Sequence, residues 1–144
     1  MTELSVIALD CGAKHVGVAA TDPSGLTAQP LTTLDRKPHA EFLEAIKRIA
    51  MERSASLIVL GLPVQTDGTK GREAQRVLSL AHEIRTRLNI QAVTYDERLT
   101  TAMASRSMEL AELKKTKREK LIHQTSAVII LQGYMANQAK GAPC

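Results

Sequence analysis

Two acidic positions in the sequence follow short apolar segments and could together hold a cation. Asp10 ends the apolar, partly β-branched segment 4–10, and Asp96 and Glu97 follow the segment 91–95. If one further strand separates these segments in a parallel arrangement, their ends lie roughly 10 Å apart at the backbone. Two carboxylates leaning toward each other can close that distance around Mg²⁺ or Mn²⁺, which prefer oxygen ligands. Because neighbouring residues of a strand point to opposite faces, only one of Asp96 and Glu97 can join Asp10.

A second group of residues could bind phosphate. Gly61 begins a segment rich in turn residues, 62–71, and Lys70 and Arg72 add positive charge where a helix is predicted to begin. Glycines allow the backbone to approach a ligand closely, and the amides at a helix N-terminus attract anions. An ordinary connection between a strand and a helix needs the same residues, so a purely structural role is an equal alternative.

Further cations flank the acidic positions. Lys14 follows Asp10 and Arg98 follows Glu97, and each could steer a scissile phosphate or be a solvated surface charge. For Arg98, an ion pair with a neighbouring carboxylate is the main alternative. The segment 114–120 has five cations and one anion and is predicted to be an exposed loop, which could bind a substrate backbone by releasing counterions.

Three small residues near Asp10 are expected to be structural. Cys11 adjoins Asp10, but adjacent residues of a strand point oppositely and no His–acid arrangement is recognisable around the thiol, so nucleophilic catalysis is not predicted. Gly12 and Gly17 are predicted to be turn and packing glycines rather than ligands.

The elements that would position these residues follow the order βββαβαβαα. Three meandering strands followed by alternating strands and helices predict an α/β fold, a five-stranded mixed sheet with helices on both faces. One domain is expected over residues 1–137, with a flexible tail at 138–144. The predicted strands are 4–10, 15–21, 27–34, 57–60 and 91–95, and the predicted helices are 39–53, one with apolar residues from 74 to 88, 100–113 and 121–135.

Length and composition exclude several classes of protein. A chain of 144 residues with 44% hydrophobic residues supports one core, and no apolar run is long enough to span a membrane. The absence of an export signal and the presence of only two cysteines predict a cytoplasmic protein without a disulfide framework. The net charge of +4 is a weak indication of a polyanionic partner, and three aromatic residues are too few for a base-stacking platform.

Four blocks of the sequence are similar to the motifs of the YqgF family, in the same order along the chain. They are residues 10–19, 61–63 with 67–68, 96–101 and 126–132. The family is described both as Holliday junction resolvases and as nucleases of pre-16S rRNA maturation. The resemblance implies a ribonuclease-H-like fold and a metal-dependent phosphodiesterase with Mg²⁺ or Mn²⁺, in which Asp10 is the bridging ligand and Glu97 the second ligand.

The sequence departs from this family at the start of the last predicted helix. The family usually has an Asp there, where this chain has His123, and Glu119 would share the face of His123 only if the helix began early. His123 has three interpretations: a metal ligand or a base that activates water, a substitution that disables catalysis, or a residue without a role. The first predicts a preference for Mn²⁺ over Mg²⁺, since imidazole suits the softer ion.

Three functions remain open at this stage. The first is a nuclease that acts on structured RNA, in particular precursor 16S rRNA, and the second is a resolvase of four-way DNA junctions. A resolvase cuts two strands symmetrically and should therefore be a two-fold dimer, whereas the first function fits a monomer or a homodimer. The third is a catalytically weak RNA-binding or ribosome-assembly factor. An actin- or hexokinase-like ATPase would need two domains of this type, which 144 residues do not supply.

Overall fold

The computed structural model describes residues 5–63, 71–96 and 115–139, which form one five-stranded sheet with helices on both faces. The helix Arg72–Glu83 continues into one π-helical turn, Ile84–Leu88, which ends at Asn89 in the left-handed conformation. The strands are β1 Val6–Cys11, β2 His15–Thr21, β3 Ala28–Asp35, β4 Leu57–Leu62 and β5 Gln91–Asp96, and the helices are α1 His39–Glu52, α2 Arg72–Glu83 and α3 Lys115–Ala139.

The sheet is mixed, with the strand order β3-β2-β1-β4-β5. The first three strands are antiparallel neighbours, because short turns connect them, whereas β1, β4 and β5 are parallel and are joined by helical crossovers. β4 therefore separates β1 from β5, which is the arrangement that the acidic positions required. Within the hairpin, Asp10 pairs with Gly17.

The two faces of the sheet have different cores. Helices α1 and α2 cover one face, where large aliphatic side chains such as Ile7, Leu9, Ile58 and Leu60 are fully buried. Helix α3 covers the other face with a smaller cluster. That cluster consists of Val6, Ala8, Ala19, Leu57, Val59, Tyr95, Ala127, Ile130 and Leu131. Because residues of a strand alternate, Asp10 follows Val6 and Ala8 on the α3 face.

The predicted loop at 114–120 is wrong for residues 115–120, which are the first turns of α3. Lys, Arg and Glu are good helix formers, and neither Gly nor Pro interrupts the segment, so its charge does not prevent a helix. The consequence is that His123 lies about two turns into α3 instead of at its start. Glu119 precedes His123 by one turn of the same helix. The early helix start that was expected to be improbable from the sequence is therefore the one that the structure has.

Three further predictions about elements are corrected or lie outside the described residues. Gly61 does not begin a loop, since β4 extends to Leu62 and the pairing with β5 continues through Gly61 and Leu62. The helix predicted at 100–113 lies outside the described residues. Helix α3 extends to Ala139, so residues 138 and 139, which were predicted to belong to a flexible tail, are helical, and the rest of that predicted tail lies outside the described residues. Among the described residues, none of the helices has the length and hydropathy needed to cross a membrane.

The turn between β2 and β3 is organised by Asp22. Its carboxylate accepts hydrogen bonds from the hydroxyl of Ser24 and from the backbone N–H groups of Leu26 and Thr27, at 2.9 and 2.8 Å for the two amides. These donors, with Ser24 the strongest, lower the pKa of Asp22 to about 2. The ionised carboxylate therefore closes the turn that leads into the edge strand.

Candidate active site

Asp10 and His123 form the centre of the candidate site. Asp10 lies near the carboxyl end of β1 and is only 7% exposed. Nδ1 of His123, from α3, lies 2.7 Å from Oδ2 of Asp10. An ionised carboxylate can only accept a hydrogen bond, so Nδ1–H is the donor and the lone pair of a neutral imidazole is on Nε2. The structure thus joins two residues that are 113 positions apart in the sequence and that the sequence nominated separately.

Gly17 allows α3 to approach the sheet at this point. A Cβ atom on Gly17, the cross-strand neighbour of Asp10, would lie 2.1 Å from the carbonyl carbon and oxygen of His123 and 2.5 Å from the amide nitrogen of Gln124. The backbone of α3 therefore rests directly on the backbone of β2. Any side chain at position 17 would push the helix, and His123 with it, away from Asp10.

Gly12 makes room for the imidazole ring itself. A Cβ atom on Gly12 would lie 2.5 Å from Cε1 and 2.6 Å from Nε2 of His123, and 2.8 Å from the carbonyl oxygen of His15. The turn is closed by the hydrogen bond from the amide of Gly12 to that carbonyl, at 2.9 Å. The interpretation of Gly12 and Gly17 as turn and packing residues is confirmed, and their packing partner is the site.

Further contacts that the sequence did not reveal hold α3 in place. Gln124 donates a hydrogen bond from Nε2 to Oγ1 of Thr33 on β3, at 2.9 Å. At the other end of the helix, a Cβ atom on Gly133 would lie 2.6 Å from the hydroxyl of Tyr95. The only signal for these contacts was a glycine within an apolar helical pattern. Together these contacts fix the distance of α3 from the sheet and the orientation of its axis near Asp10.

The described residues supply two donors that suit a divalent cation. Asp10 uses one carboxylate oxygen for His123, and its second oxygen together with an imidazole nitrogen forms an oxygen–nitrogen pair of the kind that Mn²⁺ accepts. No group of three or more His, Cys, Asp or Glu side chains that could hold a metal occurs within residues 5–63, 71–96 and 115–139. Glu97, the predicted second ligand, lies outside the described residues, as do the candidate phosphate-binding residues Lys70 and Arg98.

The remaining candidates lie in different places. Lys14 is exposed in the turn between β1 and β2, next to the site. Gly61 is buried near the carboxyl end of β4, where it pairs with Tyr95 of β5. Arg72 lines a groove between α1 and α2, which cover the opposite face of the sheet from His123. Cys11 packs into the core on that opposite face, which agrees with its exclusion as a nucleophile.

Solved structures with the same architecture define the class of fold. RuvC of T. thermophilus in complex with a Holliday junction substrate has a TM-score of 0.62 at 12% identity, covering 97% of this chain and 98% of that chain. The Holliday junction resolvase of fowlpox virus has a TM-score of 0.56 at 10% identity, covering 94% and 99%. The predicted ribonuclease-H-like fold, in its RuvC-like form, is thereby confirmed.

Curated relatives and a family description identify the chain more closely. A Clostridium botulinum (strain Hall) protein is 41% identical over 137 residues, which is 95% of this chain and all of that protein. A Clostridium acetobutylicum protein is 39% identical over 132 residues, 92% of this chain and 98% of that protein. Both are named candidate pre-16S rRNA nucleases. The family RuvX, Holliday junction resolvase, matches residues 4–137, and this chain belongs to that family, which is the YqgF family that the motif blocks resembled.

Proposed function

We propose that this protein is a metal-dependent nuclease that hydrolyses phosphodiester bonds in precursor 16S rRNA. The observation that carries the proposal is the contact of 2.7 Å between His123 and a buried carboxylate at the carboxyl edge of a RuvC-like sheet. The nuclease names of relatives at 41% and 39% identity support the class of reaction and the choice of substrate.

The proposal assigns Asp10, Glu97 and His123 to one catalytic and metal-binding centre. Tyr95 packs on the α3 face of the sheet, so Asp96 alternates to the opposite face and is not the acid that joins Asp10. Glu97 is the remaining acid of that pair. A bound Mg²⁺ or Mn²⁺ would stabilise the negative charge that develops on the scissile phosphate and its leaving oxygen.

Asp10 has two tasks in this scheme. Its Oδ2 holds the ring of His123 in one orientation and one tautomer, and its other oxygen is available to a cation. His123 then presents the Nε2 lone pair, which can ligate the cation or accept a proton from the attacking water. Lys14, exposed on the adjacent turn, is suited to attract a phosphate to the site.

The test is a cleavage assay with Mg²⁺ and with Mn²⁺ on precursor 16S rRNA, generic single-stranded RNA and a four-way DNA junction. Asp10→Asn should reduce cleavage by more than the ~10–100-fold that loss of an outer-shell metal partner costs. Asp35→Asn is the matched control, since Asp35 is 75% exposed and its carboxylate lies 3.2 Å from Nδ1 of His15, outside the Asp10–His123 pair. Cleavage that survives Asp10→Asn overturns the assignment, and Glu97→Gln tests the second acid in the same way.

His123→Asp distinguishes the interpretations of the substituted position. If His123 is a ligand or base, the variant should shift the preference from Mn²⁺ toward Mg²⁺ without a large gain in rate. A large gain in rate would instead show that the natural site is impaired, which favours the RNA-binding factor as the protein's role. His82→Asp, on the exposed side of α2, controls for the change of charge.

Resolution of DNA junctions is the second candidate, because the fold matches resolvases and the family carries that description. It requires two active sites related by a two-fold axis, so the active species must be a dimer. Sedimentation of the protein with and without a four-way junction tests this requirement. Symmetric cleavage of the junction by a dimer, with precursor rRNA left intact, would replace the first proposal.

A further inference from the structure

A groove with a positive lining lies between α1 and α2, on the opposite face of the sheet from His123. Its cavity of about 270 Å³ is lined by Arg36, Arg72 and Arg76, with Glu83 and His39 also at its wall. A second depression of about 290 Å³, which adds Lys37, shares Arg36, His39 and Arg76 with the first. The two hollows therefore form one continuous surface, called the cationic groove below.

The cations of the groove outnumber its acids. Glu83 is already engaged, since its carboxylate lies 3.0 Å from Nε2 of His39 and 3.8 Å from Nε of Arg87. Glu73 lies 3.3 Å from Nη1 of Arg76, but both side chains are about half exposed, and such an i,i+3 pair contributes only ~0.2–0.5 kcal/mol. A phosphate can therefore replace Glu73 as the partner of Arg76.

Two of the groove's cations have no acidic partner within the described residues. Lys37 and Arg72 are both exposed, and no carboxylate among residues 5–63, 71–96 and 115–139 forms an ion pair with either of them. Arg72 and Arg76 are one helical turn apart on α2 and face the same hollow. Guanidinium groups in this arrangement suit phosphate oxygens, which they can bind with two parallel hydrogen bonds.

The turn between β1 and β2 connects the cationic groove to the candidate active site. Nη1 of Arg36 donates a hydrogen bond to the carbonyl oxygen of Gly12 at 2.8 Å, and its backbone amide donates to the carbonyl of Lys14 at 2.9 Å. The Cα of the same Gly12 faces the ring of His123. A single residue thus separates an arginine of the groove from the imidazole of the site.

We propose that the cationic groove binds the sugar–phosphate backbone of the substrate on one side of the cleaved bond, after the chain has crossed the turn at Gly12. This inference rests on the proposed nuclease function, because it takes the Asp10–His123 pair as the place of cleavage. The groove recognises phosphate and charge rather than bases, since Phe42 is the only Phe, Tyr or Trp among its described lining residues and is 2% exposed.

The experiment compares two triple variants that each remove three positive charges. The groove variant is Lys37→Gln, Arg72→Gln, Arg76→Gln, and the control is Lys47→Gln, Arg48→Gln, Arg53→Gln on exposed positions of α1 and its C-terminal end. Arg36 is left intact because it also supports the turn. Dissociation constants are measured by fluorescence anisotropy without divalent metal, on a precursor-rRNA fragment and on a DNA junction, from about 50 to 200 mM salt.

The groove variant should raise Kd at least about tenfold, and the slope of log K against log salt should fall by about two. The control should change Kd less than about threefold. Equal effects of the two variants, or no effect of either, would overturn the proposal, and the latter result would point to an acidic protein as the partner of the groove. The RNA and DNA arms identify which backbone the groove holds.

Cleavage assays separate this inference from the proposed function. If the native protein cleaves and the groove variant binds like the control, the groove proposal fails while the nuclease function stands. If the native protein binds through the groove but cleaves nothing, the nuclease function fails while the groove stands. Because a folding defect could imitate lost binding, the single variant Arg72→Glu, with its Tm measured alongside, must reproduce the direction of the effect.

Discussion

The two faces of the sheet differ in the extent of their cores and in how closely a helix approaches the strands. On the α1–α2 face, long aliphatic side chains such as Ile7, Ile46 and Ile84 fill the space between helices and strands. On the α3 face, the cluster is smaller, and the backbone of α3 touches the backbone of β2 at Gly17. The first face carries the larger core, and the second face carries Asp10 and His123, the centre of the candidate site.

We infer from this difference that the domain keeps the residues of its main core apart from the residues of the proposed catalytic site. A core of large side chains can repack when a neighbour changes, so small displacements there are absorbed. Backbone contacts cannot repack in this way, since neither atom group can rotate aside. The position of His123 relative to Asp10 is therefore fixed by the glycines at positions 12 and 17, which have no side chains. Substitutions on the two faces should consequently have different effects.

Ile58→Ala should have the largest effect on stability. Ile58 is fully buried in the middle strand on the α1–α2 face, and truncation of such a residue costs ~2–5 kcal/mol of unfolding free energy. Activity per folded molecule should be unchanged. Urea denaturation measures the free energy of unfolding, and a cleavage assay at low denaturant measures the activity per folded molecule. Ile58→Val, expected to cost ~0.5–1.5 kcal/mol, is the matched control. Lost activity with full stability would contradict the separation of the two faces.

Gly17→Ala should reduce stability less than Ile58→Ala but should also reduce activity. The new Cβ would meet the carbonyl of His123 at 2.1 Å, which forces α3 outward at a cost of ~1–3 kcal/mol. Chemical denaturation and the cleavage assay should therefore change together. Native activity in this variant would mean that the position of α3 does not control the site.

Gly12→Ala should affect activity more than stability. Its Cβ would meet the ring of His123 at 2.5 Å, and a side chain can move aside where a helix backbone cannot, although the carbonyl of His15 at 2.8 Å limits the available space. We expect cleavage to fall at least ~10-fold with a small change in Tm. If Gly12→Ala and Gly17→Ala lower Tm equally, the distinction between ring contact and backbone contact is wrong.

Asp22→Asn should have the smallest effect and should leave activity unchanged, since Asp22 lies in the β2–β3 turn. Its pKa is lowered to about 2 from 3.8, so the ionised form stabilises the fold above about pH 3.8. This contribution is lost as the pH falls through about 2. The native protein should therefore exceed the variant in Tm at about pH 5 and equal it near pH 2.

Glu44→Gln, an exposed carboxyl on α1, controls for the loss of one negative charge in that comparison. A difference in Tm between native protein and Asp22→Asn that persists below pH 2 would show that hydrogen-bond geometry, and not charge, closes the turn. Either result leaves the contrast between the two faces intact, because the turn belongs to neither core.

The order of the described elements could be predicted largely because β1 and β4 are short apolar runs and α1 and α2 have clear amphipathic patterns. The start of α3 could not, since residues 115–120 are equally suited to a solvated loop and to a solvated helix. The end of β4 was predicted too early because glycine is frequent in turns, whereas Gly61 pairs with Tyr95 within this sheet.

The candidate site was predictable in part. Asp10 and His123 were nominated from a strand end and from a motif, but the distance between them depends on how deeply α3 settles on the sheet. That depth is determined by glycines whose partners are distant in the sequence, and no local pattern encodes such a contact. The cationic groove could not be predicted from the sequence for the same reason, because Arg36 and Arg76 are distant in the sequence and only the fold brings them together.

The contact at Gly17 has a consequence for the variability of the site. Gly17 touches the backbone of residues 123 and 124 and not the side chain at 123. The contact between α3 and β2 therefore does not depend on which side chain is present at position 123. We therefore expect a substitution at position 123, such as His123→Asp, to change the side chain beside Asp10 while α3 keeps its contact with β2.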